Sequence, residues 1–240
     1  MEGVTGSTPV PPILPLNKGG TMQSIALVDK YIRARYLFFK WRYSVTLVNK
    51  ILLALGMAGV TGLMAQVKVA LPWTPVPITG QTFAALMAGV LLGRYLGGIS
   101  QVIYLVAGII GVPWFAGWSG GISALLGPSG GYIIGFVLAA LFIGHFVDKY
   151  IGARKFSSLF GLMLVANFGL IYIPGLLYLG LWFYLVKGAF PSLWNLLLMG
   201  AIPFIMGDLL KIVAAATLAQ TITPKQAYNG EVDKLKYSSR

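Results

Sequence analysis

Long apolar runs alternate with short polar segments along most of this chain. Six runs, near residues 47–67, 80–97, 99–115, 130–147, 158–186 and 193–219, approach or exceed the roughly 20 helical residues that cross a hydrocarbon core. Strict alternation of apolar and polar positions, the mark of a transmembrane β-strand, is missing from runs such as Phe136 to Phe146. Glycine (31 residues) and proline (13) sit inside several of the runs, which spanning helices tolerate. The pattern predicts an all-α integral membrane protein, a six-transmembrane-helix bundle over residues 46–220. Residues 1–45 read as a basic, partly disordered N-terminal extension, and 221–240 as a polar C-terminal tail.

Composition agrees. Apolar residues make up 57% of the chain and charged residues 10%, where a soluble domain carries about 25% charged residues. Nothing here could form a polar skin for 240 residues, so the apolar surface faces lipid. The opening stretch Met1 to Gly20 is rich in Pro, Gly and Thr and lacks the apolar core of a signal peptide; it reads as a disordered tail or an appended leader. Lys30, Arg33, Arg35, Lys40 and Arg42 follow, interleaved with aromatic residues. A helix lying on anionic headgroups accounts for them better than nucleic-acid binding.

The net charge of +12 becomes informative once it is placed on the loops. With the N-terminus inside, fifteen basic residues fall on the cytoplasmic side, among them Arg94, Lys149, Arg154, Lys155 and Lys225. Only Lys68 and Lys187 fall outside, and Lys211 lies within a span. The positive-inside rule thus predicts a multi-pass protein of the cell membrane with both termini cytoplasmic. The basic excess is topological.

Few residues carry chemistry. There is no cysteine, and the single histidine, His145, beside Phe146 near a helix end, reads as structural. No H-E-x-x-H, G-x-S-x-G or phosphate-loop motif occurs, so neither an enzyme nor a metal or cofactor site is expected. Ala54, Ala58 and Gly62 form a small-residue ridge on the first span, and Ala85, Gly89 and Gly93 repeat it on the second. Such ridges let helix backbones approach closely, either within the chain or against a partner. Three prolines between Leu71 and Pro77 impose a stiff, extended connection on the outer side. Thr79, Gln81 and Thr82 follow it, as helix caps or as the edge of a lid. From Gly111 to Tyr132 an uncharged loop holds seven glycines and four aromatic residues, which suits either an interfacial belt or a binding loop for a neutral ring system.

Asp208 and Lys211 are the sharpest feature. Three residues apart, they share one face of the last span. Each alone would cost roughly 2.5 to above 10 kcal/mol in hydrocarbon, and such groups face a bundle interior or line a substrate path.

Four blocks carry a family resemblance: Pro75-Val-Pro-Ile-Thr-Gly-Gln-Thr82, Gly108-Ile-Ile-Gly-Val-Pro-Trp-Phe-Ala-Gly117, Gly127-Pro-Ser-Gly-Gly-Tyr132 and Gly207-Asp-Leu-Leu-Lys211. From about Lys50 to Gln220 the chain resembles the BioY family, the biotin-specific S components of energy-coupling factor (ECF) vitamin importers. The resemblance implies a six-helix, non-enzymatic subunit that takes biotin from the outer face. It further implies a membrane coupling subunit and two cytoplasmic ATPases as partners, the former meeting the Ala54–Ala58 face continued by Gly62. Asp208 and Lys211 map onto the family's charged pair. For biotin, Lys211 is expected to neutralise the valerate, and Asp208, Gln81 or Asn167 to accept the ureido N–H groups. Tyr104, Phe115, Trp118, Tyr132 and Tyr178 are the candidate aromatic walls. A solitary carrier, or an S component for another small vitamin, remains the alternative.

Overall fold

The apolar runs fold as helices in the computed structural model, which describes residues 22–238. In chain order these are α1 (Met22–Ser44), α2 (Leu47–Gln66), α3 (Gln81–Ile109), α4 (Ile122–Leu125) and α5 (Gly130–Lys149). After them come α6 (Phe156–Leu164), a π-helical stretch (Val165–Ile171), α7 (Tyr172–Lys187), α8 (Leu193–Gly200), α9 (Ile205–Ile222) and α10 (Lys234–Ser238). One antiparallel pair, β1 (Lys68–Val69) and β2 (Ile78–Thr79), sits between α2 and α3 and aligns Lys68 with Thr79. The disorder expected of the first residues falls on positions 1–21, outside the described residues.

Five helical stretches are long and apolar enough to cross a membrane: Leu47–Gln66, Gln81–Ile109, Gly130–Lys149, Phe156–Lys187 and Leu193–Ile222. The expected spans at 80–97 and 99–115 share one of them. Inside α3, Gly93 has a non-helical backbone (φ 79°, ψ −173°) and divides the run into two arms. A Cβ added to Gly97 would lie 2.7 Å from the Ala88 carbonyl oxygen. In a continuous helix those residues stand about 13 Å apart, so the second arm folds back along the first. The break therefore lies at Gly93, not near residue 98, because Gly93 supplies the positive φ. Gly97 and Gly98 instead make room for Ala88 and Leu141. The second arm also ends at Ile109, short of the expected 115.

Close backbone contacts hold the bundle together. A Cβ on Gly89 would stand 2.6 Å from the Ala140 carbonyl and 2.9 Å from the Gly144 amide, so α3 and α5 meet almost backbone to backbone. The Ala85–Gly89–Gly93 ridge is thus used inside the chain. Outward, Leu177, Leu185, Met206 and Leu210 are exposed, a belt of large apolar side chains that suits lipid.

At the Gly93 end of the bundle, Arg42, Arg154 and Glu231 are buried. Helix α1 does more than lie on a surface: its Phe39 and Arg42 are buried against the bundle. Arg42 donates to the Leu91 carbonyl (2.7 Å), to the Val90 carbonyl (3.2 Å), to Tyr228 and to Asp148. Asp148 also accepts the Arg94 amide at 2.9 Å. Arg154, fully buried, donates to the carbonyls of Val147, Pro224 and Gln226 and to Glu231 at 2.5 Å. Glu231 in turn accepts the amides of Tyr228 and Asn229. Burial raises the Tyr228 hydroxyl to about 12. His145 meets Arg94 (3.4 Å) and Phe146 edge-on, in keeping with a structural role.

Candidate functional site

A cavity of about 240 Å³ opens at the opposite end. That is slightly under the usual range for drug-sized ligands and admits one compact molecule. Its walls come from the β1–β2 region, the start of α3, the glycine-rich loop, the start of α5, Tyr172 and the first turns of α9.

Each wall has a local cause. The β1–β2 ladder closes the proline-rich loop, whose Thr74 hydroxyl accepts the Val76 amide (3.1 Å) and donates to the Met199 carbonyl. Pro75, Val76 and Pro77 are thereby fixed on the cavity. The Gly121 amide donates to the Gly108 carbonyl at 2.7 Å, folding the glycine-rich loop back onto the end of α3. A residue larger than glycine at 131 or 135 would strike the backbone at Pro174 or Ile171. That close fit turns Tyr132, Ile133 and Phe136 into the cavity wall, with the Tyr132 hydroxyl tied to the Gly200 carbonyl at 2.6 Å. The π-helical stretch lies where Pro174 lacks the N–H that would bond Leu170. Asn167, inside that stretch, faces Asp208.

Asp208 and Lys211 form an ion pair at the cavity wall, their side chains 4% and 20% exposed. Asp208 accepts from Tyr172 (2.6 Å), Asn167 Nδ2 (2.9 Å) and, more loosely, Thr82 (3.4 Å). Lys211 donates to the Thr79 carbonyl (2.8 Å) and the Thr82 hydroxyl (3.0 Å) as well as to Asp208. An ammonium has three N–H groups, and all three are engaged. The pair is satisfied, which is why it survives burial.

The other expected residues divide. Gln81, Phe115 and Tyr132 line the cavity with Asp208 and Lys211. Gln81 accepts from Thr79 (2.9 Å) and donates to the Tyr104 hydroxyl (2.7 Å), which itself donates to the Trp114 carbonyl (3.2 Å). Tyr104 and Asn167 thus stand one step behind the wall. Trp118 is 67% exposed and Tyr178 bonds the Leu125 carbonyl; neither lines the cavity. Ala54 and Ala58 are fully covered, and a Cβ on Gly62 would fall 2.9 Å from Trp114 Cβ. The chain's own residues fill that ridge, so as folded it offers no surface to a partner; Gly56 and Gly59 are the open glycines of α2. Sequence reasoning missed Tyr172, Phe136, Phe204 and Lys68 as lining residues, and saw Thr82 only as a cap or lid edge.

Comparison with known proteins fits this geometry. The BioY family model matches residues 35–227. The chain belongs to the BioY family. Among curated BioY relatives, the probable biotin transporter of Methanothermobacter thermautotrophicus is 60% identical over 147 residues, covering 61% of this chain and 94% of that protein. The biotin transporter of Rhizobium etli is 30% identical over 181 residues, with 72% and 91% covered. A crystal structure of the S-component for biotin from an ECF-type ABC transporter superposes with a TM-score of 0.64 at 26% identity, covering 73% of this chain and 93% of that one. BioY membership makes this a multi-pass membrane protein of a transporter family.

Proposed function

We propose that the protein is the biotin-capturing S component of an ECF-type importer, with the Asp208–Lys211 cavity as its binding site. The carrying observation is a saturated ion pair set in the wall of a small, aromatic-lined cavity within a BioY-family bundle. Biotin's fused rings suit the faces of Phe115, Tyr132, Phe136 and Phe204. Its ureido N–H groups find an acceptor in Asp208, whose 3.4 Å contact with Thr82 is the one most readily exchanged. Gln81 keeps one amide N–H for the ureido carbonyl.

The same reading has six crossings, with the two arms of α3 counted separately and both termini cytoplasmic. The back-folding at Gly93 supports it, as does the gathering of Arg42, Arg94, Arg154 and Lys155 away from the cavity. The cavity then opens outward, and a coupling subunit with its ATPases engages the protein from the membrane and the cytoplasm. Because the chain has no cysteine, single cysteines at 187 and 155 test the topology directly. An impermeant thiol reagent applied outside should label the first and spare the second.

Equilibrium binding of radiolabelled biotin to detergent-purified protein tests the ligand. Saturable binding that excess unlabelled biotin displaces, and other vitamins do not, is the expected result. Binding of a different vitamin in its place would keep the fold and change the substrate.

A further inference from the structure

We propose that Lys68, and not Lys211, holds the carboxylate of the ligand, so that biotin lies with its ring system at the Asp208 end and its tail toward β1. This inference rests on the biotin reading and assigns that ligand its orientation.

The charge balance of the cavity leads to it. Of the residues lining the cavity, three are charged: Asp208, Lys211 and Lys68. Asp208 and Lys211 neutralise one another, which leaves a single net positive charge facing the ligand. Lys211 cannot present that charge, since Thr79, Thr82 and Asp208 already take its three N–H groups. Recruiting it would strip Asp208, the Thr79 carbonyl or the Thr82 hydroxyl of a partner. The Lys68 ammonium has no hydrogen-bond or ion-pair partner among the described residues and is free to receive an anion.

Position follows from the backbone. Lys68 pairs with Thr79 across the two-stranded ladder, and the Thr79 carbonyl takes Lys211. The two ammonium groups therefore serve one strand position, one engaged and the other exposed at the mouth. On its other side, Lys68 reaches over Gly117, where a Cβ would stand 3.0 Å from Nζ. Gly117 has φ +76°, so both its conformation and its missing side chain leave room for the ammonium beside Phe115 and Ser119. A lysine that served only as a topological charge has no need of that space. A monoanion bound deep at Lys211 and a monoanion bound at the mouth make different demands on the chain, and only the second leaves the three partners of Lys211 in place.

The test compares biotin with its uncharged carboxamide, which keeps the ring system, on the parent protein and on Lys68→Gln and Lys68→Arg. The parent should prefer biotin by about tenfold, the scale of one charge-assisted contact. Lys68→Gln should abolish that preference by weakening biotin while leaving the amide within about twofold, and Lys68→Arg should retain it. The substituted side chain is exposed, so folding should be unaffected. An unchanged preference in Lys68→Gln, or no preference in the parent, overturns the assignment. If the parent binds neither compound, the biotin reading itself fails and the orientation falls with it.

Discussion

Arg154–Glu231 at one end of the bundle and Asp208–Lys211 at the other are both buried ion pairs with well-filled hydrogen-bonding shells. One is sealed by the tail, with backbone carbonyls of Pro224 and Gln226 and amides of Tyr228 and Asn229 around it. The other lies in a cavity wall where, apart from the Thr79 carbonyl on Lys211, the partners are side chains: Thr82, Asn167 and Tyr172. Backbone partners fix a pair in place. Side-chain partners, one of them at 3.4 Å, leave a pair able to exchange a contact for a ligand. The difference separates a clamp from a receptor more clearly than burial or charge does.

Changing both members of each pair should break the comparison open. Asp208→Asn leaves Lys211 without its counter-charge and should weaken biotin binding more than a hundredfold, about 3 kcal/mol or more. Adding Lys211→Met should restore thermal stability in detergent toward the parent, because a neutral pair no longer needs compensation, while binding stays lost. Recovery of binding by the double variant would show that the pair only supports the fold. At the other end, Arg154→Leu should lower unfolding stability by about 3 kcal/mol, with biotin affinity of the folded protein unchanged within about twofold. Glu231→Leu added to it should return part of that loss; the unpaired Tyr228 and Asn229 amides account for the remainder.

How legible these ends were in the sequence follows from what lipid forbids. Asp208 and Lys211 stand out because no spanning helix carries charge without a reason. Arg42 and Arg154 do not stand out, since basic residues beside spans are expected and their count says nothing of burial. Lys68 was hidden in the same way, as one of two basic residues assigned to the outer side. The helices were legible through apolar length, but the break within α3 was not. Gly93, Gly97 and Gly98 are alike in sequence, and only φ decides which one turns the chain. Tyr172 escaped notice because a tyrosine in an apolar run reads as an interfacial anchor. Its contact with Asp208 depends on α7 meeting α9, a tertiary fact. Ala54, Ala58 and Gly62 do form a ridge, but Trp114, which fills it at Gly62, arrives from a loop some 50 residues later.

Acid should distinguish the two ends next. Burial opposes the ionisation of Glu231, but the Arg154 guanidinium and the Asn229 and Tyr228 amides outweigh it, holding the carboxyl below its ordinary 4.5. With the folded value depressed, the tail's docking is fully present above that ordinary value and is lost as pH falls through the folded one. Hydrogen exchange at the Tyr228 and Asn229 amides should accelerate below pH 4.5 relative to amides in the core of α5. Equal acceleration of both would mean that the whole bundle, not the clamp, answers to Glu231.

The smallest expected effect concerns Trp118, one of the aromatic residues of the glycine-rich loop expected to wall the site. Its side chain is 67% exposed and lies outside the cavity lining. What holds it is its backbone: the amide donates to Gln66 Oε1 at 2.9 Å, and its φ of 59° makes it the one non-glycine with positive φ among the described residues. A side chain carried only by a strained turn contributes little to a site it does not touch. Trp118→Ala should leave biotin affinity within about twofold, and Trp118→Gly should gain roughly 1 kcal/mol of stability by relieving the left-handed conformation. A tenfold loss of affinity in Trp118→Ala would instead mean that the loop between α3 and α5 closes over the ligand. That would turn the receptor end from a pocket with one mobile contact into a pocket with a moving wall.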